Sequence, residues 1–373
     1  MSIAGIEGWT RAALMTLLVG NLCAEQRPEG PEEHQYHSSS VSIPRAHAGE
    51  PKLEKLSLKR ALEYLDQGAQ AWTESRGCLS CHTNGVYVVT RPALTARFGP
   101  PPAQVRVFLK ATLERQLETT REQLSRKTAP AQVIHTAAGL SEWDAHVTRT
   151  LSPETSQALR LMLEIQREDG SWSPPSDCWP PFESDSYHET ALAAMAAATA
   201  PGWLAQMTAS DRTGVQRLKT FLRTQAPPHD YARVWLLRAA ARWPDLLSSE
   251  RKREIVEMIW SRQRPDGGWS IRTFAAPEAW GSGKRAGRLR AEPEFADPPS
   301  DGHQTGLALL ALAEAGVTSA DTRVQRGIRW LQTNQRVSGR WWTRSLNTDE
   351  WHFITFSATA YAVSALDRFN AIE

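Results

Sequence analysis

The sequence has little net charge, no alternating strand pattern and no long apolar run. Its 43 Lys and Arg nearly balance 41 Asp and Glu, which gives a formal charge of +2 over 373 residues. This balance gives no electrostatic reason to expect a nucleic-acid partner. Helical periodicity dominates from Leu53 onward, and no segment alternates convincingly between apolar and polar residues. The sequence therefore predicts a helical protein of one large or two ordinary domains.

The apolar run at residues 12–24 is too short to span a bilayer comfortably. It follows Arg11 and is typical of a signal-peptide core, with Ala24 as the candidate cleavage residue. A disordered or interfacial N-terminus is the alternative. We expect a signal peptide over residues 1–24, export to the periplasm or the extracellular space, and no membrane span in the mature chain. Pro, Gly and Ser then predict a disordered linker over residues 25–52.

One stretch recurs along the chain, and each copy ends one helical run before the next begins. It reads QRPDGGW at residues 263–269 and QREDGSW at residues 166–172, and it returns more loosely from Gln335 to Trp341 and Trp342. Asp-Gly supplies a turn with positive φ, the Gln amide can bond exposed backbone groups, and the Trp covers the turn. Such repetition predicts stacked supersecondary units.

The helical runs number about twelve, two of them predicted over residues 86–98 and 103–126, and they fall into six pairs whose members differ in composition. One member carries a charged stripe, as in residues 251–260, and the other is small and apolar almost all round, as in residues 190–196, 305–312 and 358–363. A helix that is apolar all round must be buried, whereas one with a charged stripe faces water. The alternation predicts an inner ring of six helices inside an outer ring of six, an (α/α)6 toroid over residues 53–373.

The turns at residues 166–172 and 263–269 resemble the QW turns of the squalene-cyclase and protein-prenyltransferase-β superfamily, and the resemblance covers roughly residues 55–369. It implies an (α/α)6 barrel with an apolar central cavity for an isoprenoid-like ligand. All connections from an outer helix to the next inner helix lie at one end of such a barrel, which we expect to be the functional mouth. The long connection at residues 271–302 is expected to be a partly ordered lid there, with its Arg and Lys residues either in contacts or solvated.

Residues 78–82 read Cys-Leu-Ser-Cys-His, which is the spacing of covalent c-type haem attachment. Cys78 and Cys81 would form the two thioethers, and His82 would be the proximal iron ligand. This haem is attached outside the cytoplasm, in agreement with the predicted export. The same residues could instead form a disulfide, contribute to a zinc site or be plain turn residues. Residues 76–82 also resemble the N-terminal segment of a group of exported bacterial toroid proteins of the same superfamily.

Six of the ten histidines fall in the predicted mouth turns or at the starts of predicted inner helices. We expect at least one of them to face residues 78–82. By ring order, His135 and His352 are the leading candidates for the sixth iron ligand. His303 resembles the zinc-binding histidine of prenyltransferase β subunits, so His82 and His303 are the candidate metal ligands. The Asp-x-Cys element that this family also uses is missing at the matching position.

A stretch of acidic residues precedes one of the small-residue helices and contains Glu183, Asp185 and Glu189. Class II terpenoid cyclases hold an Asp-x-Asp-Asp acid in this region, but the present sequence lacks the paired aspartates. These three residues are the candidate catalytic acids. Helix capping and first-turn charge are the alternative role for them.

The motifs together predict an exported toroid with a c-type haem at the mouth of an apolar funnel. It would bind an apolar, isoprenoid-like ligand or carry out redox chemistry on it, with a redox partner protein. Two other functions stay open. One is a binding or structural toroid for a lipid or a protein segment, with a structural Cys pair or zinc. The other is a terpenoid cyclase acting on squalene or a shorter polyprenyl substrate, which would depend on Asp185.

Overall fold

A computed structural model describes residues 34–173, 179–182, 185–349 and 351–372. This part of the chain contains fifteen α-helices and no β-strand, so the prediction of an all-α fold is confirmed. None of the helices described is long and apolar enough to cross a membrane. The helices are Leu58–Arg76 (α1), Asn84–Thr90 (α2), Thr95–Phe98 (α3), Ala103–Glu118 (α4), Arg121–Leu124 (α5), Ala129–Trp143 (α6), Pro153–Glu164 (α7), Ser186–Thr199 (α8), Ala209–Thr224 (α9), Asp230–Arg242 (α10), Ser249–Ser261 (α11), Ala286–Arg290 (α12), Gly302–Glu314 (α13), Thr322–Asn334 (α14) and Ile354–Arg368 (α15).

The helix ends follow local signals in the sequence. α7 begins at Pro153, which needs no hydrogen-bond acceptor at the first helical position, behind the cap residue Ser152. The Ser152 hydroxyl accepts a hydrogen bond from the Thr155 amide. α1 ends at Gly77, whose φ of 62° lies in the left-handed region that favours glycine.

Two predicted helices are each interrupted. The helix predicted over residues 86–98 is divided because Pro92, which has no amide hydrogen to donate, opens a 3-10 turn. The helix predicted over residues 103–126 is divided because Thr120 caps α5 through reciprocal hydrogen bonds with Gln123. The apolar periodicity continues through both breaks, and the side chains at the new ends decide where the helix stops.

The long helices are of two kinds, in agreement with their composition. Side chains of α6 and α13 are buried nearly all round, whereas α9, α11 and α14 bury one face only. α2, α6, α8, α10, α13 and α15, which we call the inner helices, pack on one another in chain order, and α15 also packs on α2. The outer helices α1, α4, α7, α9, α11 and α14 lie against them.

A buried ion pair ties α10 to α13. The Arg238 guanidinium donates from Nε to Glu314 Oε2 (2.8 Å) and from Nη2 to Oε1 (3.1 Å), and Arg242 adds a bond of 3.3 Å. Burial alone would raise the pKa of Glu314, but the charges of both arginines outweigh it and lower the pKa to about 2. Glu314 is therefore charged at neutral pH, and the arginines offset the cost of burying it.

The three copies of the repeated turn form the same hydrogen bonds. In each copy the Gln amide donates to the Gly carbonyl four residues on, over 2.9–3.0 Å, and that Gly has a φ of 90–93°. The Trp indole donates to a carbonyl of the preceding outer helix over 2.7–3.0 Å. The residues concerned are Gln166, Gly170 and Trp172; Gln263, Gly267 and Trp269; and Gln335, Gly339 and Trp341. The loosest copy in sequence is therefore equivalent to the others in structure.

Each of these turns also joins two outer helices. The Gln amide donates a second hydrogen bond, of 2.8–3.1 Å, to a carbonyl of the neighbouring outer helix or its cap. The three pairs are Gln166 with Gly214 in α9, Gln263 with Arg323 in α14, and Gln335 with Ser57 at the start of α1. The third pair connects the last outer helix to the first.

Residues 34–52, predicted as part of a disordered linker over residues 25–52, instead pack against the helices. Tyr36 is 1% exposed, and the Arg340 guanidinium lies 5.5 Å from the centroid of its ring. Composition could not indicate this packing because the partner residues lie near the other end of the chain. The predicted signal peptide, residues 1–24, and the first part of the linker lie outside the described residues.

Hydrogen bonds fasten this N-terminal segment at two places. The Val337 amide donates to the Pro51 carbonyl (2.9 Å), next to the third repeated turn. The Ser38 hydroxyl donates to Glu74 Oε2 (2.6 Å) on α1. This hydrogen bond is the largest cause that lowers the pKa of Glu74 to about 2. The segment therefore belongs to the folded body.

The connection at residues 271–302, predicted to be a partly ordered lid, is folded into short 3-10 and α-helical turns. Trp280 is 1% exposed, and its ring centroid lies 5.6 Å from that of Tyr231 on α10. Arg288 and Arg290, which the sequence left as either contact or solvated residues, both form ion pairs. The connection therefore inserts an aromatic side chain among the inner helices.

Candidate functional site

The motif loop, residues 78–82, is held in shape by the first two residues of α2. Asn84 Oδ1 accepts from the Ser80 amide (2.8 Å), and Asn84 Nδ2 donates to the Cys78 carbonyl (3.0 Å). A Cβ at Gly85 would lie 1.8 Å from the Ser80 carbonyl oxygen, so only glycine allows this close approach. The loop thus folds back tightly onto α2.

The two cysteines of the motif differ in chemical state. Cys78 is disulfide-bonded, whereas Cys81 is a buried, reduced thiol. They are therefore not bonded to each other. The other two cysteines of the chain, Cys23 and Cys178, lie outside the described residues.

Aromatic side chains enclose the ring of His82. Its centroid lies 4.7 Å from that of Trp72 and 4.1 Å from that of Phe353. The Thr83 hydroxyl donates its hydrogen to Gln35 Oε1 (3.0 Å). The Thr83 oxygen is therefore the acceptor in its hydrogen bond with His82, and His82 Nδ1–H is the donor (2.8 Å). His82 Nε2 therefore carries the lone pair.

These residues do not fit a covalent haem in this arrangement. Attachment needs both cysteine sulfurs as thioethers, and the sulfur of Cys78 is held in a disulfide. His82 is enclosed by the rings of Trp72 and Phe353, so these rings would have to move for a haem to reach its Nε2. The haem and its redox partner stay predictions from the sequence.

The two predicted sixth ligands are placed differently. His135 lies against the motif loop, since a Cβ at Gly85 would come within 2.8 Å of His135 Cδ2. His352 is engaged by its own loop, where Nδ1 accepts from the Ser345 amide (3.1 Å) and Nε2 donates to the Asp349 carbonyl (3.1 Å). The structure therefore brings His135, and not His352, to the motif loop.

Rings from several inner helices and their connections form one group, which we call the interior cluster. Neighbouring ring centroids lie between 4.4 Å (His188 and Trp235) and 6.4 Å (Tyr231 and Trp235) apart. Such spacing is typical of favourable aromatic packing. The members are His82, Phe182, His188, Tyr231, Trp235, His303 and Tyr361.

A chain of hydrogen bonds fixes the tautomer of His303. The Ser357 hydroxyl donates to the Ile354 carbonyl (2.9 Å), so it accepts from His303 Nδ1–H (2.8 Å). His303 Nε2 then accepts from the Tyr231 hydroxyl (3.2 Å). Both ring nitrogens of His303 are used, and the network joins α10, α13 and α15.

Four buried histidines in this region are uncharged at neutral pH. Burial is the largest cause, and it lowers the pKa of His82, His188 and His303 to about 3. Burial also lowers the pKa of His135 to about 4, against a smaller opposing effect of its hydrogen bond to the Ala131 carbonyl. These four histidines therefore add no charge to the aromatic interior at neutral pH.

Two polar atoms of the interior cluster stand out, namely His188 Nδ1 and Trp235 Nε1. His188 is 4% exposed, and its Nδ1 is buried without a hydrogen-bond partner among the described residues. The ring centroid of Trp235 lies only 4.4 Å from that of His188. A buried polar atom is normally paired, so an unpaired one in an aromatic surrounding points to a missing partner such as a ligand or a water.

The two candidate metal ligands, His82 and His303, do not converge. The ring of Phe182 packs against both, with centroid distances of 6.3 and 5.9 Å, and both nitrogens of His303 are already bonded. Among the described residues, no three or more His, Cys, Asp or Glu side chains are grouped as metal ligands. The zinc alternative stays a prediction without a ligand set in the described ranges.

The candidate acids are placed at the start of α8. Asp185 caps this helix by accepting from the His188 amide (2.8 Å), and its second oxygen accepts from His229 Nε2 (3.2 Å). Burial alone would raise the pKa of Asp185, but the His229 bond and the amide outweigh it and lower the pKa. Glu189 is buried in the first turn of α8, and Glu183 lies outside the described residues. Asp185 is therefore a carboxylate with a capping role.

His352 lines a cleft of about 680 Å³ at the start of α13, which we call the mouth cleft. The ring of Trp342 packs on His352 with a centroid distance of 4.3 Å. Asp301 forms part of the wall and accepts from the amides of Ile271 (2.7 Å) and Gln304 (2.9 Å). The lining residues of the mouth cleft are Arg45, Ala46, His47, Ala48, Arg272, Glu292, Glu294, Pro299, Ser300, Asp301, Trp342, Arg344, Asp349 and His352.

Several residues of these sites carried no recognisable signal in the sequence. Tyr231 and Trp280 belong to no motif, and Trp342 was interpreted only as part of the third repeated turn. Asn84 and Gly85 follow the motif loop directly, and an Asn-Gly pair at that point could have indicated a tight turn. The long-range partners of the aromatic residues could be found only from the fold.

No protein-family model matches this chain, and a comparison with curated proteins found no significant relative either.

Proposed function

We propose that this chain forms an (α/α)6 toroid of the squalene-cyclase type. The packing of the inner helices in chain order, with α15 on α2, supports a closed ring. The hydrogen bond from Gln335 to the Ser57 carbonyl supports closure as well, because it joins the last outer helix to the first. The three equivalent Gln-Trp turns support the proposed superfamily.

The protein is exported in this proposal. Disulfides persist in oxidising compartments such as the periplasm and are rare in the cytosol. The disulfide of Cys78 therefore supports export. The apolar run at residues 12–24 supports the same location.

The function that the site supports best is binding, without a haem, of an apolar, isoprenoid-like ligand that ends in a hydroxyl group. The observation that carries it is His188 Nδ1, a polar atom that is buried among aromatic rings without a hydrogen-bond partner in the described part of the chain. A ligand hydroxyl would supply the missing hydrogen bond. The surrounding rings would bury the hydrocarbon part, and the neutral imidazoles would add no charge that a hydrocarbon must avoid.

A terpenoid cyclase is less well supported than a binding protein. Such an enzyme needs a carboxylic acid that is protonated and poised to give its proton to an alkene. The lowered pKa of Asp185 and its capping bonds leave it as an acceptor.

Ligand entry from the side of the connection at residues 271–302 requires Trp280 to move. Its ring packs on Tyr231 of the interior cluster and on His229. We therefore expect Trp280→Ala to accelerate ligand association several-fold while the protein stays folded.

The test compares farnesol with β-farnesene, a hydrocarbon of similar length that lacks the hydroxyl, by isothermal titration calorimetry. A neutral hydrogen bond contributes about 1 kcal/mol, so we expect farnesol to bind roughly fivefold more tightly. In His188→Phe this preference should disappear while β-farnesene affinity is kept. His146→Phe, at a histidine outside the interior cluster, is the control. The proposal fails if neither compound binds, or if His188→Phe still prefers farnesol.

A further inference from the structure

The mouth cleft is a second candidate ligand site, separate from the interior cluster. Asp301 lines the cleft, whereas His303, two residues later on α13, belongs to the interior cluster. The start of α13 therefore separates the two sites. Its volume of about 680 Å³ is within the range of small-molecule sites. Residues 45–48 of the N-terminal segment complete one side. The cleft therefore depends on the folded N-terminal segment.

The charged groups of the mouth cleft are largely paired with one another. Arg272 donates from Nη2 to Glu292 Oε1 (2.8 Å) and also from Nε to the second carboxylate oxygen. Arg344 donates from Nη2 to Asp349 Oδ1 (2.8 Å). Pairs of this kind hold guanidinium and carboxylate groups in fixed orientations. The remaining lone pairs of the carboxylates and the remaining N–H groups of the guanidinium groups are therefore preorganised for a ligand.

The lining has no surplus of positive charge. Three arginines of the lining face four acidic residues, namely Glu292, Glu294, Asp301 and Asp349, and Arg288 adds a fourth arginine through its ion pair with Asp349. Burial raises the pKa of Asp301, against the opposing effect of the amides of Gln304 and Ile271. A phosphate, sulfate or carboxylate ligand would find no net attraction in such a cleft. A purely apolar ligand would leave the charged walls without hydrogen-bond partners.

An aromatic face stands among these polar groups. Trp342 is half-buried, and the packing of its ring on His352 holds it in place. His352 is itself fixed by hydrogen bonds from both nitrogens. A flat apolar face beside paired charges complements a pyranose ring, which has an apolar C–H face and hydroxyl groups around its edge.

We infer that the mouth cleft binds a neutral saccharide, whose apolar ring face lies on Trp342 and whose hydroxyl groups bond to the Arg272–Glu292 and Arg344–Asp349 pairs. This inference goes beyond the proposed function and rests on none of the residues of the interior cluster.

The experiment titrates the full-length protein with maltohexaose, cellohexaose, laminarihexaose, mannohexaose and chitohexaose, and with polygalacturonate as an anionic probe. We expect at least one neutral oligosaccharide to bind and polygalacturonate to bind at least tenfold more weakly. Trp342→Ala should lower the affinity at least tenfold, and Trp342→Phe, which keeps an aromatic face, should stay within about threefold of the parent. Trp330→Phe on α14 controls for loss of an indole elsewhere.

Thermal unfolding of each variant establishes that it is folded before its affinity is compared. Binding of a neutral oligosaccharide that Trp342→Phe keeps and Trp342→Ala loses supports the inference. Three outcomes overturn it: no neutral oligosaccharide binds, polygalacturonate binds best, or Trp342→Ala binds as tightly as the parent. Farnesol binding is measured on the same samples, so failure of this inference is distinguishable from failure of the proposed function.

Discussion

Acidification between pH 6.5 and 5 should destabilise this protein strongly, because its interior holds neutral histidines. The pKa of His82, His188 and His303 is about 3 and that of His135 is about 4, each lowered mainly by burial. At pH 7.5 and above, almost none of these rings is protonated in either the folded or the unfolded chain, so they have almost no effect on stability. Below pH 6.5 the unfolded chain binds protons that the folded chain excludes, and stability falls.

The magnitude follows from the width of this pH interval. Consider a histidine that is neutral in the folded state and has a pKa of 6.5 in the unfolded state. At pH 5 it lowers the free energy of unfolding by about 2 kcal/mol. Four such residues cost about 8 kcal/mol, which is comparable with the whole stability of a typical domain. Glu314, with a pKa of about 2, begins to lose its contribution only below about pH 4.5. The window from pH 6.5 to pH 5 therefore isolates the histidines from this carboxylate.

The assay is urea unfolding followed by tryptophan fluorescence at pH 7.5, 6.5, 5.75 and 5.0. The unfolding free energy should fall by about 1.4 kcal/mol between pH 7.5 and 6.5, and then fall further with increasing slope. His135→Gln should reduce the loss between pH 7.5 and 5.0 by about 2 kcal/mol, whatever its effect at pH 7.5. His47→Gln, at an exposed histidine, should leave the loss unchanged. An unfolding free energy that is constant within about 1 kcal/mol down to pH 5 would refute the reasoning.

Two further predictions concern the repeated turns and the motif loop. Gly267→Ala should cost about 2–4 kcal/mol in urea unfolding, because φ is 93° there and the new Cβ would lie 2.7 Å from the Arg326 carbonyl oxygen. Gly287→Ala, where a Cβ meets nothing within 4 Å, should change stability by less than about 1 kcal/mol, and equal losses would contradict the strain argument. Protein exported from a host that matures c-type cytochromes should give no pyridine haemochrome signal. Mass spectrometry without reductant should find Cys78 in a disulfide and Cys81 open to alkylation after unfolding. A covalent haem signal that is lost in Cys78→Ser would contradict the arrangement described above.

Much of the helical framework can be predicted from the sequence because its signals are local. The cap at Ser152, the stop at Gly77 and the Gln-Trp turn at residues 263–269 are each read from a few adjacent residues. The contrast between small apolar helices and striped helices also indicates which of them are buried. These signals act within one or two helical turns, so they can be recognised in the sequence without knowledge of the fold.

The candidate sites depend on contacts that no local pattern contains. The C-x-x-C-H spacing of the motif loop favours a haem and also permits a disulfide or a zinc site, and the disulfide of Cys78 is a contact that the spacing alone does not indicate. His352 was predicted as a sixth iron ligand from the order of the inner helices. Hydrogen bonds to its own loop instead turn it toward the mouth cleft. The polar composition of residues 34–52 indicated disorder, but Arg340 supplies a cation for Tyr36 from the far end of the sequence.

The hydrogen bonds between Ser57 and Gln335 join positions that are 278 residues apart. The first outer helix is therefore the earliest element to be synthesised among the described helices and among the last to gain its neighbour. A chain that crosses a membrane N-terminus first would expose the apolar face of α1 until the final turn arrives. Folding of such a chain cannot finish stepwise from its start, since completion waits on contacts of very high sequence separation.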